Sequence, residues 1–182
     1  YTEDDLKILK AFNLLTMKPI IYVANIKEDE IGCDNNYVKD LKEYVKKDNS
    51  EVIVLCAKIE EELSGFEDEE KEVFLKDLGI EESGLDKLIR ASYHLLGLQT
   101  YFTAGPKEVR AWTFKRGMKA PACAGIIHSD FEKGFIRAEV ISFDDYKKYN
   151  GEKGAKEAGK LRSEGKEYVM QDGDICLFRF NV

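Results

Sequence analysis

The chain has 182 residues, 43% of them hydrophobic and 35% charged, which supplies enough apolar surface to offset chain entropy and excludes a disordered chain. No apolar run approaches the roughly 18 residues of a membrane span, so no membrane association is expected. The formal net charge of −7 argues against a nucleic-acid partner for the chain taken whole.

Ile8, Leu9, Phe12 and Leu15 recur at helical spacing and predict an amphipathic helix that Pro19 stops. Ile20–Ala24 is a continuous β-branched run, predicting a strand buried on both faces as in parallel sheets. A helix is predicted over Tyr37–Lys47 with Leu41, Tyr44 and Val45 inward, then a second buried strand over Val52–Cys56. This strand–helix–strand order is half of an open α/β sheet, a fold that binds ligands where its strands end. Three helical stretches follow, over Ile59–Leu63, Asp68–Leu78 with Val73, Phe74 and Leu78 apolar, and Leu85–Leu96. Gly79 and Gly97 are placed to end helices, and Ser83 with Asp86 is placed to cap one. His94 reads as a structural residue of the last helix.

The texture changes after Leu98. Strands are predicted over Gln99–Thr103 and Glu108–Phe114, with a Gly105-Pro106 turn between them. A small-residue helix is predicted over Lys119–Ser129, a strand over Gly134–Phe143, and a helix over Lys153–Glu164. An Asp172-Gly173 turn and a strand over Ile175–Phe180 complete a small mixed α+β sheet. Charge divides at the same place. Residues 99–182 hold 15 Lys and Arg against 12 Asp and Glu, a net of +3, whereas residues 1–98 hold 13 against 23, a net of −10. The expected units are therefore 1–98 and 99–182, with different partners. Four scattered cysteines (Cys33, Cys56, Cys123, Cys176) and no C-x-x-C pair argue against a zinc site or disulfides, and for reduced thiols in a cytoplasmic protein.

Ala24-Asn25-Ile26-Lys27-Glu28 follows the first buried strand, and Cys56-Ala57-Lys58 follows the next. GTPase-type nucleotide sites end corresponding strands in N-K-x-D and S-A-K. There an Asn amide ties the loops together, and an Asp carboxylate accepts from guanine N1–H and the exocyclic amine. Here the fourth position is Glu28, one methylene longer, and the second is Ile26. A site that cannot pair those donors does not demand guanine, which points to ATP or to relaxed purine choice. On these residues alone, Asn25 and Glu28 read more plainly as caps of a surface loop.

No G-x-x-x-x-G-K-[ST] phosphate loop occurs. The nearest match, Gly154–Leu161, puts Leu161 where a Mg²⁺-binding hydroxyl is needed and has a helix-forming interior, so it reads as a basic helix face. His128 and Asp130 could make an acid–base pair, but no nucleophile is assignable beside them and turn chemistry is the better reading. No catalytic and no metal-binding residue is therefore assigned. Arg110, Lys115, Arg116, Lys119, Lys133, Arg137, Lys156, Lys160 and Arg162, with Trp112, Phe114 and Phe135, could form a basic and aromatic surface for RNA. Alternation puts Arg110, Trp112 and Phe114 on one strand face, where two large aromatics more often build a core.

The run QTYFTAGPKEVRAWTFKRGMKAPACAGIIHSDFEKGFIRAEVISFDDY, with GAKEAGKLRSEGKEYVMQDGDICLFRFNV, resembles the carboxyl-terminal part of the YchF, or Obg-like ATPase, family. KPIIYVANIKEDE and VIVLCAKIEEEL are similar to the fourth and fifth nucleotide motifs of its G domain. The resemblance implies a partial P-loop NTPase G domain over 1–98 and a β-grasp TGS domain over 99–182, the latter contacting ribosome or RNA without DNA sequence specificity. It implies base contacts at Asn25, Ile26 (through its backbone) and Glu28, closed by Ala57 and Lys58. It also implies ATP, with GTP as the second nucleotide, and Mg²⁺ in the full-length ATPase. The chain begins at Tyr1 inside what resembles a helix of the G domain, without phosphate loop, switches or Mg²⁺ ligands. It is therefore expected to be a fragment that holds nucleotide weakly or not at all and does not hydrolyse it. The alternative is a stand-alone adaptor that binds protein or RNA and never uses nucleotide.

Overall fold

The computed structural model describes residues 2–47, 50–105 and 108–181. Its contacts divide the chain into two compact units, Tyr1–Leu95 and Leu96–Val182.

The first unit opens with α1 (Glu3–Ala11), capped by Thr2, whose hydroxyl accepts from the Asp5 N–H while the Asp5 carboxylate accepts from the Thr2 N–H. A 3₁₀ turn at Leu15–Met17 leads into β1 (Ile21–Asn25). α2 (Asn36–Val45) connects it to β2 (Glu51–Leu55), and the two strands pair in parallel from Ile21↔Glu51 to Asn25↔Leu55. α3 (Ala57–Leu63), α4 (Asp68–Asp77) and α5 (Gly84–Leu96) follow. Cys56, Ile59 and Leu63 form a buried cluster, packed by Ile26, Ile31, Phe66, Phe74, Leu75 and Leu78. Gly79, at φ +71°, closes α4: its N–H donates to Lys76 O and the Ile80 N–H donates to Leu75 O, so two orphan carbonyls are satisfied.

Four expectations fail here. β1 is not buried on both faces, since Val23 keeps 45% of its surface exposed. The apolar run suits a two-sided burial, but among the described residues its sheet has two strands, and one side of β1 stays open. Tyr44 is exposed rather than inward. The buried stripe of α2 runs through Val38 and Val45, and Tyr44 lies about 100° round the helix from Val45, reaching only the edge of Tyr22 with ring centroids 6.3 Å apart. Val73 likewise faces out, while its neighbour Phe74 packs on Phe66. α1 stops at Ala11, short of Pro19, and Leu15 falls in the separate 3₁₀ turn.

The second unit is a five-stranded sheet, β3 (Leu98–Ala104), β4 (Val109–Lys115), β5 (Phe135–Ser142), β6 (Arg162–Glu164) and β7 (Asp174–Phe180), in the order β4-β3-β7-β5-β6. β3 and β7 pair in parallel and the other neighbours are antiparallel. α6 (Ala120–Ile127) lays Ala120, Cys123 and Ala124, all fully buried, against this sheet, because small side chains allow a close approach. Tyr101 of β3 crosses the core and donates its hydroxyl to Cys123 O at 2.8 Å. Burial pushes the Cys123 thiol up to about 12 and raises Cys176 as well, so these are inert core thiols. Trp112 and Phe114 pack into the core as alternation predicts, and the Arg110 guanidinium sits 4.2 Å from the Trp112 ring centre at its rim.

Short α7 (Ser129–Lys133), α8 (Phe143–Lys148) and α9 (Glu152–Glu157) complete the unit. The expected helix over Lys153–Glu164 is cut in two. Gly159, at φ +70°, ends α9 with the same pair of closing bonds as Gly79, and the chain then enters β6. Of the expected Gly105-Pro106 turn, Gly105 donates its N–H to Glu108 O at 2.9 Å, and Pro106 lies outside the described residues.

Candidate functional site

The tips of β1 and β2 end side by side, with Asn25 opposite Leu55. Beyond them the Ile26 N–H donates to Leu55 O at 2.8 Å. The Asn25 Oδ1 accepts from the Ala57 N–H at 3.0 Å, at the first residue of α3, so one side chain joins both post-strand loops. Its amide N–H₂ keeps both donors without a partner among the described residues. Glu28 opens a 3₁₀ turn (Glu28–Glu30), and its Oε2 lies 2.8 Å from Lys58 Nζ. That contact, with Glu62 Oε1 3.8 Å away, holds the Lys58 ammonium above the ordinary lysine value. Asn25, Ile26, Glu28, Ala57 and Lys58 are thus brought together by the fold.

Between them lies a groove of about 720 Å³ with Ile26, Cys56 and Leu78 as its apolar part and Asn25, Glu28 and Lys58 as its polar rim. Small-ligand sites span about 300–1,000 Å³ with a few placed polar groups, and this open groove falls within that range. Two further residues, outside its lining, brace the segments that form it, and sequence reasoning passed over both. Glu30 accepts from the Lys27 N–H at 3.1 Å and from Asn35 Nδ2 at 3.0 Å, and the Asn35 bond holds its carboxyl below the usual range. Glu60, on α3, accepts from the Gly84 N–H at 2.7 Å and the Leu85 N–H at 3.2 Å. The Glu30 contact with Lys27 is within capping reach in the sequence, whereas Glu60 meets amides 24 and 25 residues away and has no local signature.

The nine basic residues do not form one equivalent set. Lys119 is paired with Glu167, Arg137 with Glu139 at 3.0 Å, and Arg162 with buried Asp174 at 3.3 Å. Arg110 lies over Trp112 and 4.0 Å from Glu108. Lys115, Arg116, Lys133, Lys156 and Lys160 are exposed and have no side-chain ion pair among the described residues. Arg179, absent from the expected set, stands opposite Arg137 across β5 and β7 and shares Glu139 with it.

His128 caps α7: its Nδ1 accepts from the Asp130 N–H at 3.2 Å, so the ring is spent on helix geometry. Gly154 and Lys156 lie inside α9, not in a phosphate-cradling loop. A Cβ on Gly154 would come within 1.9 Å of Tyr149 O, so glycine is needed there for close packing. Among the described residues, no group of three or more His, Cys, Asp or Glu is placed to hold a metal ion. No helix among them is long and apolar enough to cross a membrane.

Residues 98–181 match a family model named YchF-GTPase_C and described as "Protein of unknown function (DUF933)". The chain is 62% identical to "Ribosome-binding ATPase YchF" of Bacillus subtilis over all of its own length and 50% of that protein's. It is 53% identical to the protein of the same name from Escherichia coli O157:H7, over 96% of its own length and 48% of that protein's. It thus spans about half the length of the curated relatives it matches. Among solved structures, "Structure of the Schizosaccharomyces pombe YchF GTPase" superposes on 98% of the chain, and 48% of that protein, with a TM-score of 0.89 and 37% identity. The names of these two relatives differ on the nucleotide, ATP in one and GTP in the other.

Proposed function

Because this chain belongs to the YchF family, we propose that it carries the base-recognition half of an ATP-preferring purine site, with GTP as the second nucleotide. Its mixed α/β fold matches that of the solved relative. The observation that carries the reading is the pair of bonds closing the strand tips, Asn25 Oδ1 to the Ala57 N–H and the Ile26 N–H to Leu55 O. They bring an amide, a free stretch of backbone and an apolar floor to one groove. Asn25 faces the purine edge, Ile26 offers its backbone, and Lys58 closes over the ring with its aliphatic stem. Glu28 is engaged by Lys58, which leaves its carboxylate poorly placed to accept from guanine and favours adenine.

The residues present fit a base and do not fit phosphates or Mg²⁺. No G-x-x-x-x-G-K-[ST] occurs in the sequence. Nucleotide hydrolysis, with Mg²⁺, belongs in this proposal to the longer protein that the relatives represent, as does a cytoplasmic setting on the ribosome. Residues 99–182 are proposed as a β-grasp TGS domain that meets the ribosome or its RNA. The support is the name of the relatives and the net charge of +3 on those residues.

The test is a titration of ATP and GTP into the ¹⁵N-labelled chain. Amide shifts confined to Asn25–Glu28 and Ala57–Lys58, larger for ATP, are expected. Shifts elsewhere, or none at millimolar nucleotide, overturn the base site.

A further inference from the structure

We propose that Glu60 is a positioning residue for the purine site, holding α3 in the one rotation that presents the Ala57 N–H to Asn25. The inference deepens the base-site reading and rests on it for its functional consequence.

α3 has seven residues, too short to hold its place by helix propensity. Its apolar anchors, Ile59 and Leu63, are one turn apart on one face and nearly fully buried. Two anchors in line fix a helix along its length and leave rotation about that line unspecified. Glu60 supplies the missing constraint. Its own N–H donates to Cys56 O at 3.1 Å, and its two carboxylate oxygens take the N–H groups of Gly84 and Leu85. Those are the first two amides of α5, unsatisfied by any intrahelical partner, and a carboxylate is favoured at that end of a helix. The third amide, of Asp86, is satisfied separately by Ser83 Oγ at 3.0 Å.

Gly84 completes the fastening. A Cβ there would stand 2.3 Å from Leu55 Cβ and 3.0 Å from Glu60 Oε1, so only glycine lets α5 start against the end of β2. Leu55 is the residue whose carbonyl holds the Ile26 N–H. Glu60 and Gly84 therefore tie both proposed base contacts, Ile26 through Leu55 and Ala57 through α3, to one rigid helix end.

The experiment compares the wild-type chain with Glu60→Ala, Glu60→Gln and Ser83→Ala. Ser83→Ala is the control: it removes a bond from the same end of α5 without touching α3. Amide hydrogen exchange at Ala57 and Ile26 is measured without nucleotide, and ATP affinity is measured separately. Glu60→Ala is expected to speed exchange at Ala57 about tenfold, the scale of a lost charge-assisted bond, and to weaken ATP binding. Glu60→Gln retains one acceptor and falls between. Ser83→Ala lowers the melting temperature and leaves Ala57 exchange unchanged. Equal acceleration by Glu60→Ala and Ser83→Ala, or wild-type exchange in Glu60→Ala, overturns the inference. Should Glu60→Ala fail to fold, Glu60→Gln set against Ser83→Ala decides by the same rule. Wild-type chain that binds no ATP sinks the base site, while the exchange comparison still decides the role of Glu60.

Discussion

Lys58 places its ammonium 2.8 Å from Glu28 Oε2, across 30 residues of sequence, so the carboxylate a guanine edge would need is already held by a cation of the same chain. Replacing Lys58 with Met frees Glu28 without removing the aliphatic cover. GTP binding is then expected to rise relative to ATP by roughly two- to fivefold, the scale of an exposed ion pair. The pH dependence has a definite sign. The Lys58 pKa is raised by its bond to Glu28, so on the alkaline side the pair persists past the ordinary lysine value and is lost as pH climbs through the raised one. The nucleotide ratio should be flat from neutral pH upward until strong alkali is reached. Competition titrations of the two nucleotides in both proteins check this. A ratio unchanged by Lys58→Met removes Glu28 from nucleotide choice.

The parts of the site legible in the sequence are those written by local chemistry. The two strands announce themselves as β-branched runs, and Asn25 closes the first while Ala57 falls just past the second, where open sheets bind. Gly79 marks the end of its helix because φ +71° suits glycine best. What was not legible depends on distant partners. Glu60 meets Gly84 24 residues away. Arg162 reads as surface charge until Asp174, 2% exposed, is found 12 residues on and bonded to it. α7 and α8 are too short for periodicity to reveal, although Ser142 capping Asp145 is a readable start signal. Val23 shows the limit of reading burial from composition: an apolar run reports what a strand can bury, not what covers it.

Glu139 is held between two arginines that face each other across β5 and β7. Arg179 Nη2 donates to its Oε2 at 2.9 Å and Arg137 Nη2 to its Oε1 at 3.0 Å. Arg179, then Arg137, hold the carboxyl below the usual range. A depressed pKa contributes stability that is complete above the ordinary glutamate value of about 4.3 and lost as pH falls through the folded value. Glu139→Gln should destabilise the second unit by about 1 kcal/mol at neutral pH, leaving two like charges opposed. That difference should shrink below about pH 4. Urea unfolding followed by Trp112, the one tryptophan, reads this unit directly. A difference that persists at low pH rules out the carboxylate as its source.

Two glycines of the second unit should respond unequally to alanine. A Cβ on Gly134 would lie 1.9 Å from Asn181 O, and Asn181 also donates its N–H to Gly134 O at 2.9 Å. Backbone meets backbone there, so relief requires parting α7 from the end of β7. Gly159 has open space around it and only its φ of +70° to defend. Gly134→Ala is expected to cost about 3 kcal/mol and Gly159→Ala about 1 kcal/mol. The same Trp112 unfolding curves give both values. The reverse order would mean that the chain at Asn181 yields freely.

The second unit's proposed affinity for RNA follows from charge still free to meet phosphate. Each phosphate neutralised on a single strand contributes about 0.7 to the slope of log affinity against log salt. Lys133→Ala, Lys156→Ala and Lys160→Ala should each lower the slope by about that amount, since those amines have no internal partner among the described residues. Arg162→Ala should change it little, because its guanidinium already serves Asp174 and the Tyr168 hydroxyl. Glu167→Ala should act in the opposite sense by releasing Lys119. Fluorescence anisotropy of a single-stranded oligoribonucleotide, read across a potassium chloride series, measures all five slopes. Binding that ignores salt would mean the contact is not made through phosphates. The exposed lysines would then be ordinary solvated surface, and a protein component of the ribosome would be the better partner for this sheet.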